Sequence, residues 1–244
     1  SFLKILNSEI KPNYGTVSID NLKRLSFLKQ NHNEYDESTL LDAVMMGHNK
    51  LWEIMTKKNE LYSKPDFNEN DGIEASKLEE KFEEMNGWNA ESDAGNMLNG
   101  MGINSDMHNS LMKDAEPIVK VKVLLAQALF GNPDYLILDE PTNHLDLESI
   151  EWLETFLVNE FKGSFLVISH NRSFLKKVTN KVFWIDRSKI RVSPKGFANF
   201  NEWSNSLIEQ EKREIDNKKK VILRETEWLS KVLNARRKRN VRRK

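Results

Sequence analysis

The sequence predicts an α/β fold: a parallel sheet interrupted by a helical insert and followed by one long C-terminal helix. Three observations predict it. Continuous apolar runs such as YLILD and SFLVIS alternate with helical stretches, as strands buried on both faces of a sheet do. From about Ser38 to Met112, Leu, Met, Glu and Lys recur at helical spacing, which marks an insert between strands. From about Asn201 an apolar residue recurs every seventh position on a charged background, the pattern of a helix that packs on another helix.

In chain order, SFLKIL begins as an amphipathic helix. Pro12-Asn13-Tyr14-Gly15 is a turn, and TVSID after it reads as a short strand. A second apolar run, LSFL, precedes Gln30. The insert is broken at Pro65-Asp66 and at Gly87. VKVLLAQALF then reads as a buried helix, and YLILDE as a strand after the Asn132-Pro133-Asp134 turn. A helix follows over roughly Leu147 to Phe161, then the strand SFLVIS, the short helix NRSFLKKV, and two strands around KVFWID and KIRVSP. The final helix aligns Ile208, Ile215, Ile222 and Leu229, with Val221 and Trp228 beside them. Such a stripe calls for a partner helix. The missing half of a helical hairpin is the simplest expectation.

Composition narrows the classes. The 244 residues are 39% hydrophobic and 30% charged, with no cysteine. That excludes a disulfide scaffold, a thiolate nucleophile and a cysteine–zinc site. No apolar run approaches the ~20 residues of a membrane span, and no charged-then-apolar leader opens the chain. A cytoplasmic protein is expected. The net charge of zero hides an asymmetry: residues 209–244 hold 14 Lys/Arg against 6 Asp/Glu, so the rest carries −8. Seven of those cations, Arg236, Arg237, Lys238, Arg239, Arg242, Arg243 and Lys244, fall in the last ten residues. They form either a solvated helix end or a nucleic-acid contact.

The strongest chemical signal is YLILDEPTNHLD, Tyr135 to Asp146. An apolar strand ending in two acids puts both carboxylates at the carboxyl edge of a parallel sheet, where open α/β folds bind ligands. Phosphoryl transfer to water needs Mg²⁺ on the phosphate oxygens and a group that orients the attacking water. Asp139 suits the metal and Glu140 the water. The plainer alternative is a helix-start Asp-Glu-Pro cap. His170, after the next strand, is either a strand-end histidine or a third member of the site.

LILDEPTNHLD resembles the Walker B motif and D-loop of ATP-binding cassette (ABC) proteins, and its EPTNHLD form resembles the ABC-F subfamily. The resemblance implies a P-loop NTPase-like ABC nucleotide-binding domain that takes ATP and Mg²⁺. Within it, Gln30 matches the Q-loop glutamine near metal and nucleotide, and His170 the switch histidine that meets the γ-phosphate. Asn143 and Asp146 fall in the D-loop, which in the family reaches the opposite active site. Ser1 matches the hydroxyl residue that follows the GxxGxGKS loop. By this resemblance the chain starts just after its phosphate-binding loop and is a fragment that binds ATP poorly alone. Residues 1–200 would form the cassette, with a helical subdomain and arm at about 38–125, and residues 201–244 a basic interdomain linker.

The family signature, LSGGQ or LSGGE, should fall at Ala115, Glu116, Pro117, Ile118 and Val119. Both glycines are absent, Pro117 has no N–H, and Ile118 is β-branched. That puts in question whether this cassette completes a partner site. TLLDAVMMGHNKLWEIM and FEEMNGWNAES are similar to one branch of ABC-F. EWLSKVLNARRKRN is similar to another, associated with DNA as well as ribosomes. The implied function is ATP hydrolysis by an ABC-F translation factor on the ribosome, paired with a second cassette of the same full-length chain. The alternatives are a DNA-associated ABC ATPase and, more remotely, the ATP-binding subunit of a transporter.

Overall fold

The structure, a computed structural model, describes residues 2–7, 9–20, 22–29 and 34–241, with side chains described as far as Val232. It divides into two compact units, Ser1–Val178 and Thr179–Lys244.

In the first unit, α1 (Phe2–Leu6) leads through an irregular segment to β1 (Leu25–Phe27). Four helices follow: α2 (Leu40–Met45), α3 (Asn49–Tyr62), α4 (Glu69–Glu84) and α5 (Ala90–Gly100). Then come α6 (Pro117–Leu129), β2 (Tyr135–Asp139), α7 (Leu147–Asn159), β3 (Ser164–Ile168) and α8 (Arg172–Val178). The three strands form one parallel sheet in the order β1-β2-β3, with Ile137 opposite both Phe27 and Leu166.

Local chemistry sets the helix boundaries. Thr39 caps α2 and Asn68 caps α4, the latter with Asp71 in a reciprocal capping box. Pro65-Asp66 separates α3 from α4, and Tyr62 stacks on Phe67 beside that turn at 5.8 Å. The core gathers the apolar faces of α2, α5, α6 and α7 on β2: Val44, Leu98, Leu125, Leu138 and Leu153 are fully buried. The turn between α2 and α3 presses against α6. A Cβ on Gly47 would lie 2.0 Å from the Gln127 carbonyl oxygen.

Two expectations are corrected. Residues 16–20 form no strand, because among the described residues no neighbour offers them a ladder, and Val17 is exposed. The sheet is buried on both faces only along β2, whose Leu136, Ile137 and Leu138 are buried. Along β3 the residues are half-buried or exposed.

In the second unit, β4 (Val182–Asp186) and β5 (Lys189–Ser193) pair antiparallel, outside the parallel ladder. Arg187 and Ser188 turn the hairpin with φ of 47° and 62°, the left-handed pair a tight two-residue turn requires. Helix α9 runs from Phe200 to Val241. Its start is held by Trp184, which meets Phe200 and Trp203 edge-on, and by the Arg191–Glu211 ion pair. Farther along, Ile215, Ile222 and Leu229 remain exposed, so the heptad stripe has no cover among the described residues.

Candidate active site

β2 delivers Asp139 and Glu140 to the carboxyl edge of the parallel sheet. The Glu140 N–H donates to the Ile168 carbonyl at 2.8 Å, extending the β2–β3 ladder by one bond. There the backbone leaves the strand abruptly: Glu140 has φ 50°, in the left-handed region, and so does His144 at 64°. Each such non-glycine residue costs on the order of 1 kcal/mol and is held in place only by its surroundings.

Those surroundings are hydrogen bonds between two loops. The His170 backbone N–H donates to Glu140 Oε2 at 3.0 Å, and His170 Nε2 lies 3.5 Å from Oε1. Thr142 and Ser169 hydroxyls meet at 3.0 Å, and Ser169 Oγ accepts the Asn171 N–H at 3.0 Å. The Glu140 side chain is 20% exposed and the His170 side chain 96%. The carboxylate is therefore sheltered and oriented while the imidazole projects into solvent, free to meet a ligand. Asn143 donates its backbone N–H to the Glu140 carbonyl at 3.1 Å, closing the turn.

Asp146 has a structural post in this arrangement. It caps α7, accepting the Ser149 N–H at 2.8 Å, and pairs with Lys122 at 2.6 Å. The Lys122 hydrogen bond, followed by the Ser149 N–H, holds its carboxyl down at about 2. Gln30 and Ser1 lie outside the described residues, as do Arg242, Arg243 and Lys244. Arg236, Arg237, Lys238 and Arg239 fall on the backbone of α9 beyond the described side chains. Sequence reading missed the Thr142–Ser169 contact and Lys122. A lysine at the head of the apolar run from Val123 to Ala126 was the available signal for the latter.

Around the expected signature, Glu116 is the N-cap of α6 without a side-chain cap bond, Pro117 is its first residue and Ile118 is half exposed. No cluster of three or more metal-binding side chains occurs among the described residues. A magnesium ion does not need one. It is commonly held by one or two carboxylates together with substrate phosphates and water, which the Asp139–Glu140 edge fits.

No protein-family model matches the sequence. Among solved structures, the chain resembles the "ATP binding subunit of ABC transporter" with TM-score 0.55 and 14% identity, over 79% of this chain and 72% of that one. "RNase-L Inhibitor" aligns with TM-score 0.53 and 17% identity, over 84% of this chain and 34% of that one. In sequence it is 50% identical over 206 residues to the "Uncharacterized ABC transporter ATP-binding protein YkpA" of Bacillus subtilis (strain 168). That match covers 84% of this chain and 37% of the relative.

The chain is an ABC-family ATP-binding cassette.

The same cassette is 41% identical over 221 residues to "Probable ATP-binding protein YbiT" of Escherichia coli O157:H7, covering 90% of this chain and 41% of that protein. It spans about two-fifths of the length of these curated relatives. No helix among its described residues is long and apolar enough to cross a membrane.

Proposed function

We propose that this cassette hydrolyses ATP in an ABC-F protein that acts on the ribosome in translation, in the cytoplasm and together with a second cassette of the full-length chain. The observation that carries the hydrolytic part is Glu140: a sheltered carboxylate at the sheet edge, fixed by the His170 N–H and by a left-handed backbone. Bound Mg²⁺ would neutralise the phosphate oxygens, with Asp139 and Gln30 as its protein contacts. Glu140 then orients the attacking water and accepts its proton. His170, exposed beside it, donates toward the γ-phosphate. Asn143 and Asp146 lie on the loop that would face the second cassette, and Ser1 would stand next to the phosphate-binding loop. Residues 1–200 serve as the cassette and 201–244 as the basic linker.

The ribosomal part is supported by the EPTNHLD string and by the cationic end of α9, where phosphate contacts would make binding salt-dependent. A DNA-directed role uses the same cations, so one experiment separates them. Full-length protein carrying Glu140→Gln should lose ATP hydrolysis by more than about a hundredfold and co-sediment with ribosomes in ATP. Unchanged hydrolysis removes Glu140 from its role. A protein left in the supernatant while binding branched DNA tightly sinks the translation reading.

A further inference from the structure

Helix α6 is buried along its second half, and Lys122 lies in that stretch with its side chain 8% exposed. A buried ammonium needs a fixed acceptor. Asp146 supplies it through Oδ2 at 2.6 Å, while Oδ1 takes the Ser149 N–H at 2.8 Å. Ser149 is itself buried and donates its hydroxyl to the Met101 carbonyl at 3.2 Å, at the end of α5. Gly102, with φ +76°, completes the wall: a Cβ there would lie 3.7 Å from Lys122 Nζ. Three elements, α5, α6 and the start of α7, therefore meet at this one charge pair.

The pair also fixes one end of the loop from Glu140 to Asp146. Its other end is fixed by the Glu140 N–H on the Ile168 carbonyl and the His170 N–H on the Glu140 carboxylate. The loop so anchored contains two left-handed residues, Glu140 and His144, and one closing bond from the Asn143 N–H to the Glu140 carbonyl. A turn strained in this way keeps its shape only while both ends are held.

We propose that Lys122 is a positioning residue for Glu140: by tethering Asp146 to α6, it holds the loop at the setting in which the Glu140 carboxylate meets the attacking water. This rests on the hydrolytic reading of Glu140 given above. Freeing the tether leaves Asp146 able to cap α7 through Ser149, so the helix persists while the loop shifts. A displacement of about 1 Å at a reacting group can cost up to about a hundredfold in rate. Binding of ATP, which does not depend on the placement of the water, stays intact.

The test is steady-state ATP hydrolysis by the full-length protein, with kcat and KM for ATP separated. Lys122→Met is expected to lower kcat about tenfold with KM within about twofold of the parent. Lys122→Arg, which keeps a cation in reach of Asp146, restores most of kcat. Asp146→Asn keeps an N-cap oxygen but loses the ion pair, and lowers kcat to a similar extent. Combining Lys122→Met with Asp146→Asn gives no further loss, as members of one unit do not add. If Lys122→Met fails to fold by circular dichroism, the Asp146→Asn arm decides. A parent-like kcat in Asp146→Asn, equal losses in Lys122→Arg and Lys122→Met, or a KM that rises with the fall in kcat overturns the role. Hydrolysis that survives Glu140→Gln overturns it differently, by removing the site that Lys122 would position.

Discussion

Glu140 holds two unusual states at one position, a sheltered carboxylate and a left-handed backbone. Both follow from its place one residue beyond β2, where the chain must turn before α7. The Asp139–Glu140 pair could be read directly from the sequence because strand, acids and turn are contiguous. The Thr142–Ser169 contact could not, since its partners stand 27 residues apart and meet only once β2 and β3 pair. His48 is another residue whose character appears only in the fold. It caps α3, its Nδ1 accepting the Leu51 N–H at 3.3 Å. The nearby Arg24 guanidinium donates to the carbonyls of Gly47 at 3.2 Å and Phe130 at 2.7 Å. Burial first, and then Arg24, push the His48 imidazole down to about 4. The folded chain thus resists a proton that the unfolded chain accepts near pH ~6.5. Stability from this residue is fully present above about pH 6.5 and is lost as pH falls toward 4. Thermal midpoints measured from pH 7.5 to 5 should fall less steeply in His48→Asn, which keeps an acceptor for the Leu51 N–H. Identical slopes would remove His48 as a contributor.

At the scale of elements, periodicity and local chemistry gave the helices, and pairing gave the surprises. α6 and α7 were visible as the run VKVLLAQALF and the stretch from about Leu147 to Phe161, although α6 begins four residues earlier, at Pro117. Residues 16–20 looked like a strand by alternation alone, but a strand is stabilised by its neighbour's ladder, and none of the described strands borders that segment. The two strands after α8 were also visible, but their antiparallel pairing depends on the Arg187–Ser188 turn, which lacks the usual Asn-Gly signal. Packing between elements depends on small residues at close approaches. Gly47→Ala would drive a methyl to 2.0 Å from the Gln127 carbonyl oxygen, a backbone atom of α6 that cannot rotate away. Overpacking of this kind costs about 3 kcal/mol, and chemical denaturation should register it as a lower midpoint at unchanged slope. A midpoint within error of the parent would mean that the α2–α3 turn yields more easily than its contacts imply.

For the whole molecule, the charge asymmetry was legible from counting alone: +8 over residues 209–244 against −8 over the rest. What the cations contact was not, because charge sets affinity for polyanions without naming one. The expected behaviour is nonetheless quantitative. Replacing Arg236, Arg237, Lys238 and Arg239 together by Gln in the full-length protein should reduce the salt slope of binding to duplex nucleic acid by about 3.6. An unchanged slope would return these residues to a merely solvated helix end. The 42 residues of α9 give that charge a fixed gauge. At 1.5 Å per residue the helix is about 63 Å long, and about 45 Å of it follows Glu211, the residue paired with Arg191. Distance is therefore encoded as residue number, and orientation as its remainder on division by seven. Inserting one heptad ahead of Lys231 would carry the cations about 10 Å outward while turning them by only about 20°. An insertion of two residues would advance them about 3 Å and swing them roughly 160° around the helix axis.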